Sequence, residues 1–148
     1  MMYEEPKVTE LVVTRHINAS PQDVFDVWLD PKNPASLWEG ADYLILNPAE
    51  NELFYWRTNW DGKLWPTFVR FLVLDRQAGR IDHTWMGAGT KGLESTVSIT
   101  LQAADGGTDF RLVHSGVPDD EFGRLAAYGW TNVANDVAEH LERASTPA

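Results

Sequence analysis

The chain contains no cysteine among its 148 residues, so it can form no disulfide and offers no thiol nucleophile or thiolate metal ligand. Basic residues are scarce, since 12 Lys and Arg stand against 22 Asp and Glu, for a net charge of −10. No cluster of cations is present, which argues against a nucleic-acid partner or an anionic membrane surface. The apolar runs are also much shorter than a membrane-spanning helix requires.

Tryptophan, in contrast, is abundant, with seven in the chain. Trp56, Trp60, Trp65 and Trp85 fall in a run of short alternating segments, and Trp130 lies in a long helical segment near the C-terminus. Indole rings facing inward between a sheet and a helix either pack a core or line a cavity for an apolar ligand. Both interpretations are open from composition alone.

Length and polarity predict one domain over residues 1–148, because 43% of the residues are hydrophobic and can fill a single core. The first residues, 1–7, are polar and acidic. They lack the basic stretch and apolar run of a secretory signal, so a cytoplasmic location is expected.

The N-terminal third predicts a strand followed by helix. Residues 8–17 are rich in Val and Thr, as expected of a strand. Ser20 is then a good N-cap, Pro21 suits the first helical position, and Asp23 can complete a capping box. The helix is expected to stop at Asp30-Pro31, and a second short helix is expected over residues 34–38.

Alternating apolar and polar residues predict six further strands, over residues 43–46, 53–59, 64–74, 80–86, 93–103 and 108–115. Asp61-Gly62 is a strong signal for a tight turn between two of them. Pro66 can host a bulge that shifts the phase, so the inward face of the strand over residues 64–74 stays undecided.

A long helix is predicted over residues 119–143, with one apolar stripe along its length. A meander of seven antiparallel strands must curl, and this helix is the element able to cover the concave face. The fold class is therefore α+β. Gly129 is expected where the helix passes close to the sheet or to a ligand.

Four motifs in this order carry a family resemblance. They are residues 17–25 (INASPQDVF), 81–85 (IDHTW), 112–118 (LVHSGVP) and the pair Gly129-Trp130. The chain resembles the START-like helix-grip superfamily, often labelled SRPBCC, and within it the branch of activators of heat-shock-protein ATPase homologues and polyketide-cyclase-like proteins. It departs from that pattern at residues 47–51, which replace a glycine pair common in relatives and leave the geometry of that hairpin in doubt.

The resemblance implies a curved seven-stranded antiparallel sheet wrapped around the long C-terminal helix, with two short helices after the first strand. It also implies binding of a small hydrophobic or aromatic ligand in an apolar cavity, without catalysis, and without a cofactor. Two alternatives stay open. One is a cyclase- or aromatase-like enzyme that uses a cavity histidine as acid or base, and the other is a co-chaperone-like module with a chaperone partner or a homodimer.

The candidate ligand-binding residues come from strand alternation and from the helical stripe. They are Phe54, Trp56, Phe68, Arg70, His83, Trp85, Val97, Leu112, His114, Gly129, Trp130 and Val133. His83 and His114 could orient a polar group or act as acid and base, with Arg70 or Tyr55 as a polar partner. No third ligand lies at useful spacing from them, so no metal site is predicted.

Overall fold

The computed structural model describes residues 7–30, 32, 41–45 and 47–145. In chain order the elements are β1 (Val8–Ile17), α1 (Pro21–Leu29), β2 (Ala41–Ile45), β3 (Leu53–Trp60), β4 (Lys63–Asp75), β5 (Arg80–Gly87), a short 3₁₀ turn (Ala88–Thr90), β6 (Ser95–Ala104), β7 (Gly107–Pro118) and α2 (Glu121–Ser145). The second short helix, expected over residues 34–38, lies outside the described residues.

All seven strands form one curved antiparallel sheet, as predicted. Its order is β1-β7-β6-β5-β4-β3-β2, so β1 and β2 are the two edges. Each strand from β2 to β7 pairs with its neighbour in the chain, and only the β1–β7 pair joins strands that are distant in sequence. This is the meander expected from consecutive hairpins.

The tight turns that set the register are where the sequence predicts them. Asp61 and Gly62 both have positive φ angles, of 53° and 72°, between β3 and β4. Asp105 and Gly106 repeat this geometry between β6 and β7, with φ angles of 49° and 76°. Two positive φ angles in a two-residue loop match the twist of the flanking strands, so each turn fixes the pairing of its hairpin.

The start of α1 is built as the sequence indicates. The Ser20 side chain accepts a hydrogen bond from the Asp23 backbone N–H at 3.1 Å, and Pro21 opens the helix. Val24, Phe25, Val27 and Trp28 are buried on its inner side. The Trp28 ring stacks on Trp130 of α2, with centroids 6.1 Å apart. The small helix α1 therefore closes one end of the core against α2.

The bulge in β4 lies further along the strand than Pro66 suggested. The register with β5 shifts between Phe71 and Val73, while the pairing of β3 with β4 runs without a break through Pro66. Val69 and Phe71 are therefore buried on the concave face. Phe68, which is 49% exposed, points to the convex face together with Arg70.

Helix α2 covers the concave face of the sheet. Trp130, Ala134, Val137, Ala138 and Leu141 are buried against the sheet and α1 as part of one core cluster. Leu125, which the apolar stripe also included, is 53% exposed. The C-terminal half of α2 is thus packed into the core, whereas its N-terminal half stands away from the sheet. Within the described residues, neither helix combines the length and apolar character needed to cross a membrane.

Burial predicts that Trp130 is essential to this packing. Trp130 is 3% exposed, and replacing it with Ala should reduce the free energy of unfolding by about 3–5 kcal/mol. Tyr128, two residues away and 70% exposed, is the matched control, and its change to Ala should cost less than about 0.5 kcal/mol. Urea unfolding measures both. Equal midpoints for the two variants would contradict this placement of α2.

Candidate functional site

A cavity of about 490 Å³ lies where the N-terminal half of α2 stands away from β3, β4 and β5. The 3₁₀ turn closes one side of it. Its lining residues are Trp56, Thr58, Trp65, Thr67, Trp85, Gly89, Thr90, Phe122, Leu125, Ala126, Tyr128, Gly129, Trp130, Asn132 and Val133. None of these residues is Asp, Glu, Lys, Arg or His, so the part of the cavity wall formed by described residues is rich in aromatic rings and carries no charge.

Trp85 contacts two of the other lining tryptophans, so that three indoles form a continuous wall. The Trp85 ring lies 4.7 Å from Trp56 in an edge-to-face arrangement, and 4.7 Å from Trp130 in a tilted one, measured between centroids. Edge-to-face and tilted contacts of this kind are the favoured geometries for aromatic pairs. The wall therefore connects the sheet side of the cavity, at β3 and β5, to the helix side at α2.

Strand alternation explains how β3 and β4 contribute to the cavity. Residues two apart on one strand share a face, so Trp56 and Thr58 of β3 both face inward, as do Trp65 and Thr67 of β4. The antiparallel register pairs Trp56 with Thr67 and Thr58 with Trp65. The sheet side of the cavity is thus an alternating arrangement of two indoles and two hydroxyls.

A chain of buried hydrogen bonds holds the Trp130 ring in place. The Trp130 indole N–H donates to Nδ1 of His114 at 3.0 Å, and His114 Nε2 lies 2.7 Å from the Ser95 hydroxyl, which donates to the Trp85 carbonyl at 2.6 Å. Because an indole N–H can only donate, His114 Nδ1 must accept and its proton lies on Nε2. His114 is therefore a neutral imidazole with both nitrogens engaged.

His83 is buried deeper in the sheet than the cavity wall. Its Nδ1 lies 2.8 Å from the Thr84 carbonyl, which can only accept, so the proton is on Nδ1. Its Nε2 is a buried acceptor without a hydrogen-bond partner among the described residues. The Trp85 and Phe71 rings lie about it at 6.0 and 5.9 Å. His83 is thus surrounded by aromatic rings.

Burial keeps both imidazoles uncharged. It lowers the pKa of His114 to about 3, with a further contribution from His83 nearby. It also lowers the pKa of His83 to about 4, although the hydrogen bond to Thr84 and the carboxylate of Asp82 act in the opposite direction. A charged imidazole in such a site would lose its hydration without a compensating partner.

The structure places five of the twelve candidate residues in the cavity lining: Trp56, Trp85, Gly129, Trp130 and Val133. Five others are buried next to it but do not line it: Phe54, His83, Val97, Leu112 and His114. The candidates Phe68 and Arg70 are wrong as lining residues, because they lie on the convex face of β4, whose phase shift comes after them. Arg70 instead donates to the Asn51 side chain at 2.8 Å.

The candidate ligand-binding residues omit Trp65, Thr58 and Thr67, which line the cavity, although strand alternation places Thr58 on the inward face with Trp56. The signal was present in the Asp61-Gly62 turn, whose two-residue length fixes the register of β3 against β4. Once Trp56 faces inward, that register places Thr67 directly opposite it and Trp65 two residues earlier on the same face. The ambiguity over Pro66 prevented this step.

Gly129 is not a point of close approach between helix and sheet. A Cβ atom built at this residue meets nothing within 4 Å. Gly129 therefore leaves open space on the cavity side of α2. The expectation that it marks a close approach of the helix to the sheet is wrong. Across the described residues, no group of three or more His, Asp or Glu side chains is arranged to hold a metal ion.

Comparisons with known proteins agree with this architecture. A sequence profile described as Activator of Hsp90 ATPase homolog 1-like protein matches residues 18–142. Mll3558 from Rhizobium loti superposes with a TM-score of 0.81 at 16% identity, covering 93% of this chain and 100% of its own. MLL2253 from Mesorhizobium loti gives 0.76 at 23% identity, covering 93% and 100%.

CalU16 from Micromonospora echinospora has a TM-score of 0.68 at 16% identity, covering 90% of this chain and 76% of its own. At such low identities the structural matches show the shared helix-grip fold. No curated protein sequence matches the chain significantly.

The two buried histidines predict that stability falls as the solution becomes acidic. In the unfolded chain each imidazole gains a proton near pH 6.5, whereas in the folded protein the pKa values are about 3 and 4. At pH values between the folded and unfolded pKa values, the unfolded state therefore binds more protons than the folded state. Each histidine should lower the free energy of unfolding by about 2 kcal/mol when the pH is reduced from 7 to 5. Urea unfolding at the two pH values measures this loss.

His114→Gln is the matched variant, because Gln can accept from Trp130 and donate to Ser95 but does not titrate. In this variant, the fall in the free energy of unfolding that histidine titration causes between pH 7 and pH 5 should be about half of that in the wild type. A variant whose stability falls with acidity as steeply as that of the wild type would contradict the neutral, buried state of His114.

Proposed function

Since this chain belongs to the Activator of Hsp90 ATPase homolog 1-like family, within the START-like helix-grip superfamily, we propose that it binds a small hydrophobic or aromatic molecule in the cavity beneath α2 and catalyses no reaction on it. The observation that carries this proposal is the cavity itself. Its volume of about 490 Å³ is typical of sites for small organic ligands. Among the residues that the structure describes, four indoles line it and no charged side chain does.

The position of the histidines favours binding over acid–base catalysis. A general acid or base must reach the reacting group and works best with a pKa near the working pH. His114 has both nitrogens engaged with Trp130 and Ser95, and its pKa is lowered to about 3. His83 lies outside the lining. Tyr55 and Arg70, considered as polar partners, are both on the convex face.

The electrostatic character of the chain supports an uncharged ligand. The net charge of −10 repels anions, and the described lining residues offer no cation to pair with one. They offer no anion to pair with a cationic ligand either. Apolar contact with the indole faces is therefore the main source of affinity, as for other sites lined by aromatic side chains.

Filling the cavity from α2 should abolish binding while leaving the fold intact. Gly129→Leu places a side chain into open space, since a Cβ there meets nothing within 4 Å. Wild-type protein should bind naphthalene saturably in calorimetric titration, and its melting temperature should rise with naphthalene concentration. The Gly129→Leu variant should show neither effect, yet should melt at or above the wild-type temperature because Gly is a poor helix former.

Thr131→Leu is the control for this experiment. Thr131 lies on the same helix but is exposed and outside the cavity lining, so the variant should bind naphthalene as the wild type does. Unchanged binding in the Gly129→Leu variant would place the ligand elsewhere. Absence of saturable binding to the wild-type protein by any small aromatic probe would refute the proposed function.

A further inference from the structure

We propose that Thr58 and Thr67 select ligands that carry a neutral oxygen substituent, a hydroxyl or a carbonyl, on their aromatic body, and that the same cavity rejects carboxylates. This inference rests on the proposed function and names the ligand chemistry that the cavity prefers. It concerns a polar subsite on the β3–β4 side of the cavity, opposite α2.

The first observation is that Thr67 differs from the other buried hydroxyls. Thr90 donates to the Leu93 carbonyl at 2.7 Å, Ser95 donates to the Trp85 carbonyl at 2.6 Å, and Thr108 donates to the Ala19 carbonyl at 2.7 Å. These hydroxyls follow the rule that buried polar groups find a partner inside the protein. Each of them is held by the fold and has its donor already used.

Thr67 is also buried, at 9% exposure, but its side chain has no hydrogen bond to any described residue. Thr58, half-buried on the neighbouring strand, likewise makes no side-chain hydrogen bond within the described part of the chain. Both line the cavity. A hydroxyl carries one donor and two acceptor sites, so each can bond a ligand oxygen whether that oxygen donates or accepts. The β3–β4 side of the cavity therefore holds two open polar positions beside indole rings.

The register of the two strands arranges these positions for a flat ligand. Trp56 is paired with Thr67, and Thr58 is paired with Trp65, so each hydroxyl lies beside an indole. The two threonines are diagonal neighbours, which lie about 7–8 Å apart in an antiparallel pair. An aromatic molecule resting on an indole face can thus direct a substituent at its edge to one hydroxyl, and a second substituent to the other.

The absence of charge in the lining determines which oxygen groups are accepted. A phenol, alcohol or ketone keeps its polar atom satisfied with a single hydroxyl partner. A carboxylate would lose its hydration against a wall whose described residues include no Lys, Arg or His, and two neutral hydroxyls compensate that loss poorly. The protein's net charge of −10 adds long-range repulsion. Neutral oxygenated aromatics are therefore favoured over aromatic acids.

Three probes of similar size test this preference by calorimetric titration at pH 7: naphthalene, 2-naphthol and 2-naphthoate. Naphthol should bind wild-type protein about threefold to tenfold more tightly than naphthalene, the gain expected from one net hydrogen bond. Naphthoate should bind more weakly than either. If naphthol shows no advantage over naphthalene, or naphthoate binds as tightly as naphthol, the inference fails while the proposed function stands. If no probe binds, both fail.

Matched variants assign the preference to the two threonines. Val has nearly the shape of Thr but no hydroxyl, so the double variant Thr58→Val, Thr67→Val should bind naphthalene and naphthol with equal affinity. Thr58→Ser with Thr67→Ser keeps both hydroxyls and should keep the preference for naphthol. Thr100→Val, at an exposed position of β6, is the control and should leave the ratio of the two affinities unchanged.

A ratio that stays at the wild-type value in the double Val variant would overturn the assignment. Thermal unfolding of each variant shows whether it is folded. Should the double Val variant not fold, the single variants Thr58→Val and Thr67→Val provide the same comparison, and at least one of them must lower the ratio.

Discussion

The hydrogen bond from the Trp130 indole to His114 is the contact on which the cavity depends. It joins α2 to β7, and His114 continues through Ser95 of β6 to the backbone of β5. Three neighbouring strands are in this way tied to one side chain of the helix. Trp130 then carries the aromatic contact to Trp85, which is in contact with Trp56. The hydrogen bond from its N–H therefore fixes the orientation of the Trp130 ring at the α2 end of this aromatic wall.

This arrangement assigns His114 a positioning role. An imidazole with an unprotonated Nδ1 and a protonated Nε2 can accept from the indole and donate to the serine at the same time, which no charged imidazole can do. The cost of burying it is kept small because both nitrogens are bonded. His83 has no such compensation at Nε2 and relies on a single hydrogen bond, so the two histidines contribute differently to stability.

The fold was predictable because local signals and long-range pairing agree. The Ser20 cap, the Asp61-Gly62 and Asp105-Gly106 turns and the apolar stripe of α2 each lie where the sequence places them. Sequence bounds of the strands differ from the observed ones by one to three residues at most ends. These elements are determined by interactions between residues near one another in the chain, which a sequence displays directly.

The site was less predictable than the fold, because alternation leaves open both which face of a strand points inward and how far a buried residue lies from the cavity. Alternation gives two faces for β4 but not which one is inward, and the candidates Phe68 and Arg70 lie on the convex face. Alternation also cannot tell a residue that lines a cavity from one buried behind it. His83 and His114 do face α2, as expected, but aromatic rings separate His83 from the cavity and hydrogen bonds engage His114. Only the packing of α2 on the sheet decides this depth.

The space beneath α2 is proposed as a binding site whose described wall contains the indoles of Trp56, Trp65, Trp85 and Trp130. Protein labelled with ¹⁵N at its tryptophan side chains allows each indole N–H to be followed by NMR during titration with 2-naphthol. The signals of Trp56, Trp65, Trp85 and Trp130 should shift together along one saturation curve, while the Trp130 proton stays protected from exchange by its bond to His114. Saturable shifts confined to other tryptophans, or a Trp130 proton that exchanges freely, would contradict this account of the cavity.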